Sequence, residues 1–332
     1  MAFDNIKLEK GLYTTGKSFT SALEAIDPSE NYRGTSLEGL DAYQRQLKRF
    51  DIKVSGTGSD TVEKFFLTTD SAALFPEYIS RAVRQGMDES NMLSKIIATK
   101  TMINSLDYRA ISCISETKDK ELAFVAEGAA IPTTEIKTKD ELVNLKKQGR
   151  MLVASYEAIK FQHLDLFTIA LKQIGSFIAR SQFDEAVKLV YQSLKDKDMV
   201  FSYNKTVNYE DLIDLWNLFD MYKMTTMFLD KKMLSQILRL NEFRDSAAGL
   251  NFHATGTMIT PFGAEILTTK SVDEVAILAI DKNSTLEMVQ VGEINTDFDK
   301  LIDRQLERAA ITTITGFSLI NEQARKGFSL VE

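Results

Sequence analysis

The most regular pattern in the chain lies between residues 167 and 194. Phe167, Leu171, Ile174 and Ile178, then after a slip of one Phe183, Val187, Val190 and Leu194, recur at spacings of mostly three and four. That is the period of one apolar helix face. No proline occurs between Thr133 and Thr260, so nothing removes a backbone donor from the helix interior. Asp165 is the predicted N-cap, because its short side chain can accept from the open amides of a first turn. A helix from Asp165 to about Lys195 spans roughly 45 Å at 1.5 Å per residue, far beyond the average of about 11–12 residues. On its own it fits the central helix of any large α/β domain. Ahead of it, the short apolar run Met151–Ser155 follows Gly149 and predicts a strand. Between Pro132 and Gly149 the chain is mostly polar, with Glu135, Lys137, Lys139, Asp140, Glu141, Lys146 and Lys147. Ile136, Leu142, Val143 and Leu145 interrupt it. Part of this stretch can pair as a two-stranded ribbon. A lone ribbon in water is marginal, so an arm that lies on a neighbouring subunit competes with a solvated surface hairpin.

The remaining pattern is less regular. Residues 1–60 are broken by Gly11, Gly16, Pro28, Gly34 and Gly39 and are sparse in apolar positions, which predicts an arm rather than a domain. Its one stripe is Leu40, Tyr43, Leu47 and Phe50, with Arg45, Lys48 and Arg49 on the other faces. So short a helix is marginal alone, and docking on a neighbouring subunit is expected. Val54–Asp60 predicts a flexible hinge. Its Gly56 and Gly58 lack the strand-turn-helix context of a nucleotide fingerprint. Pro76 and Gly86 frame a helix over 74–86, and Ile96, Ile97, Ile103, Tyr108 and Ile111 predict strands. Leu212, Ile213, Trp216 and Phe219 form a helix stripe in which Trp216 is the expected core anchor. Strands are predicted over 224–229, 272–280 and 285–291, a helix through Met233, Ile237 and Leu240, and loops over 249–263.

Composition narrows the chemistry. The chain has 332 residues, 44% hydrophobic, with net charge −7. An acidic chain is a poor candidate for coating nucleic acid by neutralising phosphates. It suits a protein that encloses DNA without gripping it, and equally an ordinary enzyme. Cys113 is the one cysteine and sits in an apolar run, so it predicts a buried, inert thiol and excludes an internal disulfide. His163 and His253 are the only histidines, which excludes a histidine-rich metal site. No zincin, P-loop or nucleophile-elbow motif is present. No catalytic, cofactor or metal site is expected. No run of 18 apolar residues suggests a membrane span, and no secretory signal is visible near Met1.

Several of these segments, in this order, carry a resemblance. Ala126-Glu-Gly-Ala-Ala-Ile-Pro132, the charged arm, the strand into Tyr156-Glu157-Ala158 and the long helix resemble the major capsid proteins of tailed phages, which have the Hong Kong 97 fold shared with encapsulin shells. Glu274-Val-Ala-Ile-Leu-Ala-Ile-Asp281 resembles that family's late strand. Gln305-Leu-Glu-Arg308, the strand from Ala309 to Ile314, Gly316-Phe-Ser-Leu319 and Ala324 resemble its closing strands. The resemblance covers roughly residues 60–332.

It implies an α+β capsid fold laid out as an N-terminal arm (1–60), the start of the shell body (61–116), an extended loop (117–148), a peripheral domain with a spine helix (149–202), an α/β axial domain (203–303) and closing strands (304–332). Phe167, Leu171, Ile174 and Ile178 would be the core of the spine helix. Leu40, Tyr43, Leu47 and Phe50 would be arm contacts. Ile136, Lys137, Lys139, Leu142, Val143 and Leu145 would reach a neighbouring subunit, the apolar four supplying most of the grip.

The implied function is self-assembly into pentamers and hexamers of an icosahedral head around double-stranded DNA, in the host cytoplasm. The implied partners are copies of the same chain and portal, scaffold or decoration proteins, with no sequence-specific DNA contact and no membrane. Some relatives cross-link a lysine of the loop to an asparagine of a neighbour. The matching position here is Asp299, with Asn295 nearest, so no cross-link through Lys137 or Lys139 is expected. An encapsulin-type compartment and a soluble α/β enzyme are the rival expectations.

Overall fold

The protein is described here by a computed structural model covering residues 2–13, 18–113, 124–128, 131, 136–155, 157, 161–195, 199–202, 204, 206–244 and 258–330. In chain order the helices are α1 (Phe19–Ile26), α2 (Ala42–Arg49), α3 (Thr69–Ala72), α4 (Phe75–Glu89), α5 (Leu164–Lys195), α6 (Tyr209–Asn217), α7 (Lys231–Ile237) and α8 (Asn241–Arg244). The strands are β1 (Thr99–Ile103), β2 (Ile111–Cys113), β3 (Ile136–Thr138), β4 (Lys146–Ser155), β5 (Met199–Ser202), β6 (Thr226–Leu229), β7 (Glu265–Thr268), β8 (Ala276–Ile280), β9 (Leu286–Leu301), β10 (Leu306–Leu319) and β11 (Arg325–Leu330). They form a four-stranded sheet in the order β1-β9-β10-β4, a five-stranded sheet in the order β5-β11-β8-β6-β7, and the ribbon β2-β3. The chain divides into two compact units. The first comprises 1–91, 146–180 and 291–314; the second comprises 92–145, 181–290 and 315–332.

The first unit is built on α4 and the first half of α5. Leu171, Ile174 and Ile178 of α5 are buried with Leu74, Phe75, Tyr78, Ile79 and Val83. Leu152 and Ala154 of β4 and Ala309 and Ile311 of β10 join the same core. Phe167, half-buried, stacks on Phe75 at 6.1 Å between centroids, within the range of favourable aromatic pairs. The two helices approach closely at glycines. A Cβ on Gly175 would lie 2.0 Å from the Val83 carbonyl oxygen, and one on Gly86 would lie 2.1 Å from the Lys172 carbonyl oxygen. Gly86 therefore does not end its helix, as its sequence position predicts. It sits inside α4, which runs on to Glu89, because packing selects glycine there. Pro76 does open the helix, in its first turn, where the missing amide costs nothing.

The N-terminal segment departs from expectation. Ile6, Leu8, Phe19, Leu23, Ala42, Tyr43, Leu47 and Ile52 are buried in the core of this first unit. Residues 1–60 thus bury apolar surface against their own chain. Tyr43 and Leu47 are spent there, while Leu40 and Phe50 are half-buried. Helix α2 is closed at its start by a capping box between Asp41 and Gln44, which satisfies two otherwise open amides. Asp165 is not the cap of α5; it lies in the first turn of a helix that begins at Leu164.

The second unit shows period two read from both faces. Strand β8 is buried along its whole length. Its Ile277 and Ala279 pack with Leu212, Leu215, Met233 and Ile237. Its Ala276, Leu278 and Ile280 pack with Phe183, Val187, Val190 and Leu194 of α5. Neighbouring β6 does the same, with Met227 and Leu229 on one side and Phe228 on the other. A strand covered on both faces reads as an uninterrupted apolar run, which is why residues 275–280 are so legible in the sequence. Strand β11 returns late in the chain to pair parallel with β5 and antiparallel with β8. Trp216 is not a core anchor. It is 45% exposed and lies flat on Phe262 at 5.6 Å. Residues 245–257, the greater part of the loop-rich stretch, lie outside the described residues.

Substituting Gly175 by Ala is expected to destabilise the protein by about 1–3 kcal/mol, the usual cost of overpacking. Gly11→Ala, where nothing lies within 4 Å of the new methyl group, is the control. Thermal unfolding checks both; equal melting temperatures would contradict the close crossing.

Candidate assembly surfaces

Among the described residues no group of histidine, cysteine, aspartate and glutamate side chains could hold a metal, and no helix is long and apolar enough to cross a membrane. The features with functional potential are surfaces. The charged loop is rooted by the ribbon β2-β3, which pairs Ile111 with Thr138, Ser112 with Lys137 and Cys113 with Ile136. The ladder continues beyond the ribbon, where the Lys139 amide donates to the Ala110 carbonyl and the Val143 amide to the Tyr108 carbonyl. Lys139 Nζ donates to the Leu319 carbonyl oxygen. Val143 is buried with Ala110 and Val289, and half-buried Leu145 packs beside them. These two apolar side chains therefore serve the root of the loop inside the chain, contrary to the expectation that they grip a neighbour. Leu142 is 52% exposed and Lys137 is exposed, so these two remain at the surface. The Ile136 side chain, most of residues 114–135, and the Cys113 side chain lie outside the described residues.

A polar hub stands beside the root. Glu287 is buried, and its Oε1 accepts from the hydroxyls of Thr101, at 2.5 Å, and Tyr108, at 2.7 Å. Burial, the bond to Glu287 and its negative charge together push the Tyr108 phenol above its ordinary pKa. Tyr108 therefore stays a donor. The hub ties β1, the chain leading into β2, and β9 together.

The second feature is the clamp on the N-terminal segment. Arg45 is fully buried. Its Nε donates to Asp27 Oδ2 at 2.9 Å, and its other nitrogens donate to the carbonyls of Asp27 and Leu40 and to Ser29 Oγ. The guanidinium lies 4.3 Å from the Tyr32 ring centre, and the Tyr32 hydroxyl donates to Asp27 Oδ1 at 2.6 Å. At the edge of the clamp burial pushes the Glu24 pKa up. Bonds from the Ser29 hydroxyl and the amides of Ala42 and Ser29, with the charge of Arg45, outweigh it and hold the carboxyl below its usual range. In the sequence Arg45 looks like the solvent face of a short helix. It is the centre of a buried ion pair instead, and only its partners Asp27 and Ser29, 18 and 16 residues away, could have disclosed it.

The third feature is what the first unit leaves outside. Beside the buried stripe of α5 runs a second apolar set, Leu166, Ile169 and Phe177, each more than half exposed. On β4, Met151 and Val153 are likewise more than half exposed, with Lys147 and Arg150 exposed nearby. On β9 alternate exposed positions carry Glu293, Asn295, Asp297 and Asp299. Asp299, at the position implied for a cross-linking asparagine, is ion-paired to Arg308 at 2.5 Å.

No family model matches the sequence and no curated protein resembles it. Solved structures do resemble the fold. A virus-like particle from Pyrococcus furiosus is matched at TM-score 0.50 and 11% identity, over 76% of this chain and 98% of the other. The capsid of a native GTA particle is matched at TM-score 0.51 and 12% identity, over 71% and 89%. The capsid of the cyanophage P-SCSP1u is matched at 0.51 and 10%, over 73% and 88%. The chain has the Hong Kong 97-like capsid fold.

Removing the Arg45 cation leaves Asp27 buried without its partner, and breaking such a pair typically costs 3–5 kcal/mol. Arg45→Met is therefore expected to lower the melting temperature sharply, and deletion of residues 1–50 to unfold the first unit. A deletion variant as stable as the full chain in chemical denaturation would contradict the burial. Because the Glu24 pKa is depressed in the folded state, its contribution is complete above the ordinary carboxylate pKa and is lost as pH falls through the folded value. Glu24→Gln should therefore flatten the stability curve in that acid range, and an unchanged curve would count against the clamp.

Proposed function

We propose that this chain is the major capsid protein of a tailed phage, self-assembling into pentamers and hexamers of an icosahedral head that encloses double-stranded DNA. The observation that carries the proposal is the fold itself, matched over about three quarters of the chain by subunits of a virus-like particle and of two capsids. The physics suits that role. Closed symmetry satisfies the contacts of every subunit together, so each interface can be modest. The charged loop, rooted at β2-β3, and the exposed apolar positions of α5 and β4 give the subunit surfaces that a monomer has no use for. A net charge of −7 suits a wall that holds DNA without binding its phosphates. The function is mechanical rather than catalytic. Portal, scaffold and decoration proteins are the expected partners, and the host cytoplasm the expected place of assembly.

Electron microscopy of the purified full chain, alone and with co-expressed scaffold candidates, should show closed particles or capsomer rings. Particles from infected cells should contain nuclease-protected DNA. A packaged protein in place of DNA would favour an encapsulin-type compartment. A chain that stays monomeric under all these conditions would overturn the proposal.

A further inference from the structure

The first unit carries a groove of about 740 Å³ between the N-terminal segment, the start of α3 and α4, and strand β9. Its floor is apolar, with Leu8, Phe66, Ala73 and Pro76. Among the described lining residues its rim is acidic, with Glu9, Asp70, Asp297 and Asp299 and one cation, Lys7. Lys7 is already paired with Glu9, and Asp299 with Arg308. Among these residues the carboxylates left over are Asp70, half-buried, and Asp297, exposed. An apolar floor beneath carboxylates fits one chemistry best. It fits long cationic side chains, whose methylene stems lie on apolar surface while their heads reach the acids.

The chain itself supplies that chemistry. Lys146, Lys147 and Arg150 place three cations within five residues and no acid. They stand on β4, the last strand of its sheet, and all three are exposed. Among the described residues no strand pairs with the outer side of β4, and charged side chains on an edge disfavour strand addition by another sheet, which leaves side-chain contact with an acidic surface as the way to engage it. We propose that the acidic groove of one subunit receives the basic edge, residues 146–150, of a second copy of the chain. The contact is heterologous, one patch meeting a different patch, and contacts of that kind close into rings when the rotation permits. The inference rests on the shell function proposed above and assigns it a specific pair of surfaces.

The test is a charge exchange in the full chain. Asp70→Lys with Asp297→Lys places like charges opposite the basic edge. Particle yield at moderate salt is expected to fall below about a tenth of that of the unmodified chain, since opposed like charges suppress association. Lys147→Glu with Arg150→Glu is expected to do the same. Combining all four substitutions should restore particles. Unchanged yield in either reversed variant, or no restoration in the combination, overturns the docking while leaving the shell function standing. Failure of the unmodified chain to assemble overturns both. A second measurement avoids dependence on the folding of the reversed variants. With Cys113→Ser as background, Lys147→Cys and Asp297→Cys should give a ladder of disulfide-linked oligomers from oxidised particles on a denaturing gel. Assembled particles that give only monomer bands would overturn the pairing.

Discussion

One helix must satisfy two cores. Helix α5 runs 32 residues without interruption, giving Leu171, Ile174 and Ile178 to the first unit and Phe183, Val187, Val190 and Leu194 to the second. The slip of one residue between the two sets follows from this division: each half turns its own stripe toward its own core. Proline is absent from it, and its closest approaches to α4 are made at two glycines. The Gly86 and Gly175 crossing then sets how near α4 lies, and the aromatic layer of Phe65, Phe75, Tyr78 and Phe167 fills the space around it.

What the sequence discloses follows from range. Periodicity is local, so α5 and β6 are legible to within a residue or two, and β8 is legible except that it starts at Ala276, four residues later than the pattern suggests. Strand β8 is especially clear because both of its faces are buried. The same local signal fails where a distant partner decides the outcome. Arg45 follows the polar face of a short helix in the sequence, yet Asp27, Ser29 and Tyr32 enclose it. Gly86 carries the mark of a helix end, yet the backbone of Lys172 selects it from across the packing interface. Trp216 falls on an apolar stripe, yet α6 is short and the ring lies at its margin over Phe262. The sparse apolar residues of positions 1–60 look insufficient for a core because the core they complete is supplied by residues 62–83, 152–178 and 294–311.

The same limit applies to the surfaces. The alternation of charge along β9 and the basic run at 146–150 are visible in the sequence. Their meaning is not, because the groove that Asp297 borders is assembled from three separate stretches of chain. The loop residues divide in a way that patterning cannot foresee. Val143 and Leu145 anchor the loop to Ala110 and Val289, whereas Leu142, one position away, faces outward. Alternation on a strand-like segment produces this division once one face is committed to the chain's own core. Only the outward residues remain available to a partner.

We propose that this subunit exists in closed assemblies and not alone. Sedimentation velocity of the purified full chain, across a range of protein and salt concentrations, tests it most directly. The predicted result is a discrete, fast-sedimenting species of fixed size, with or without a capsomer intermediate, in equilibrium with few free subunits. A single boundary at the 37.4 kDa mass of one chain under every condition, including the presence of scaffold candidates, would contradict it.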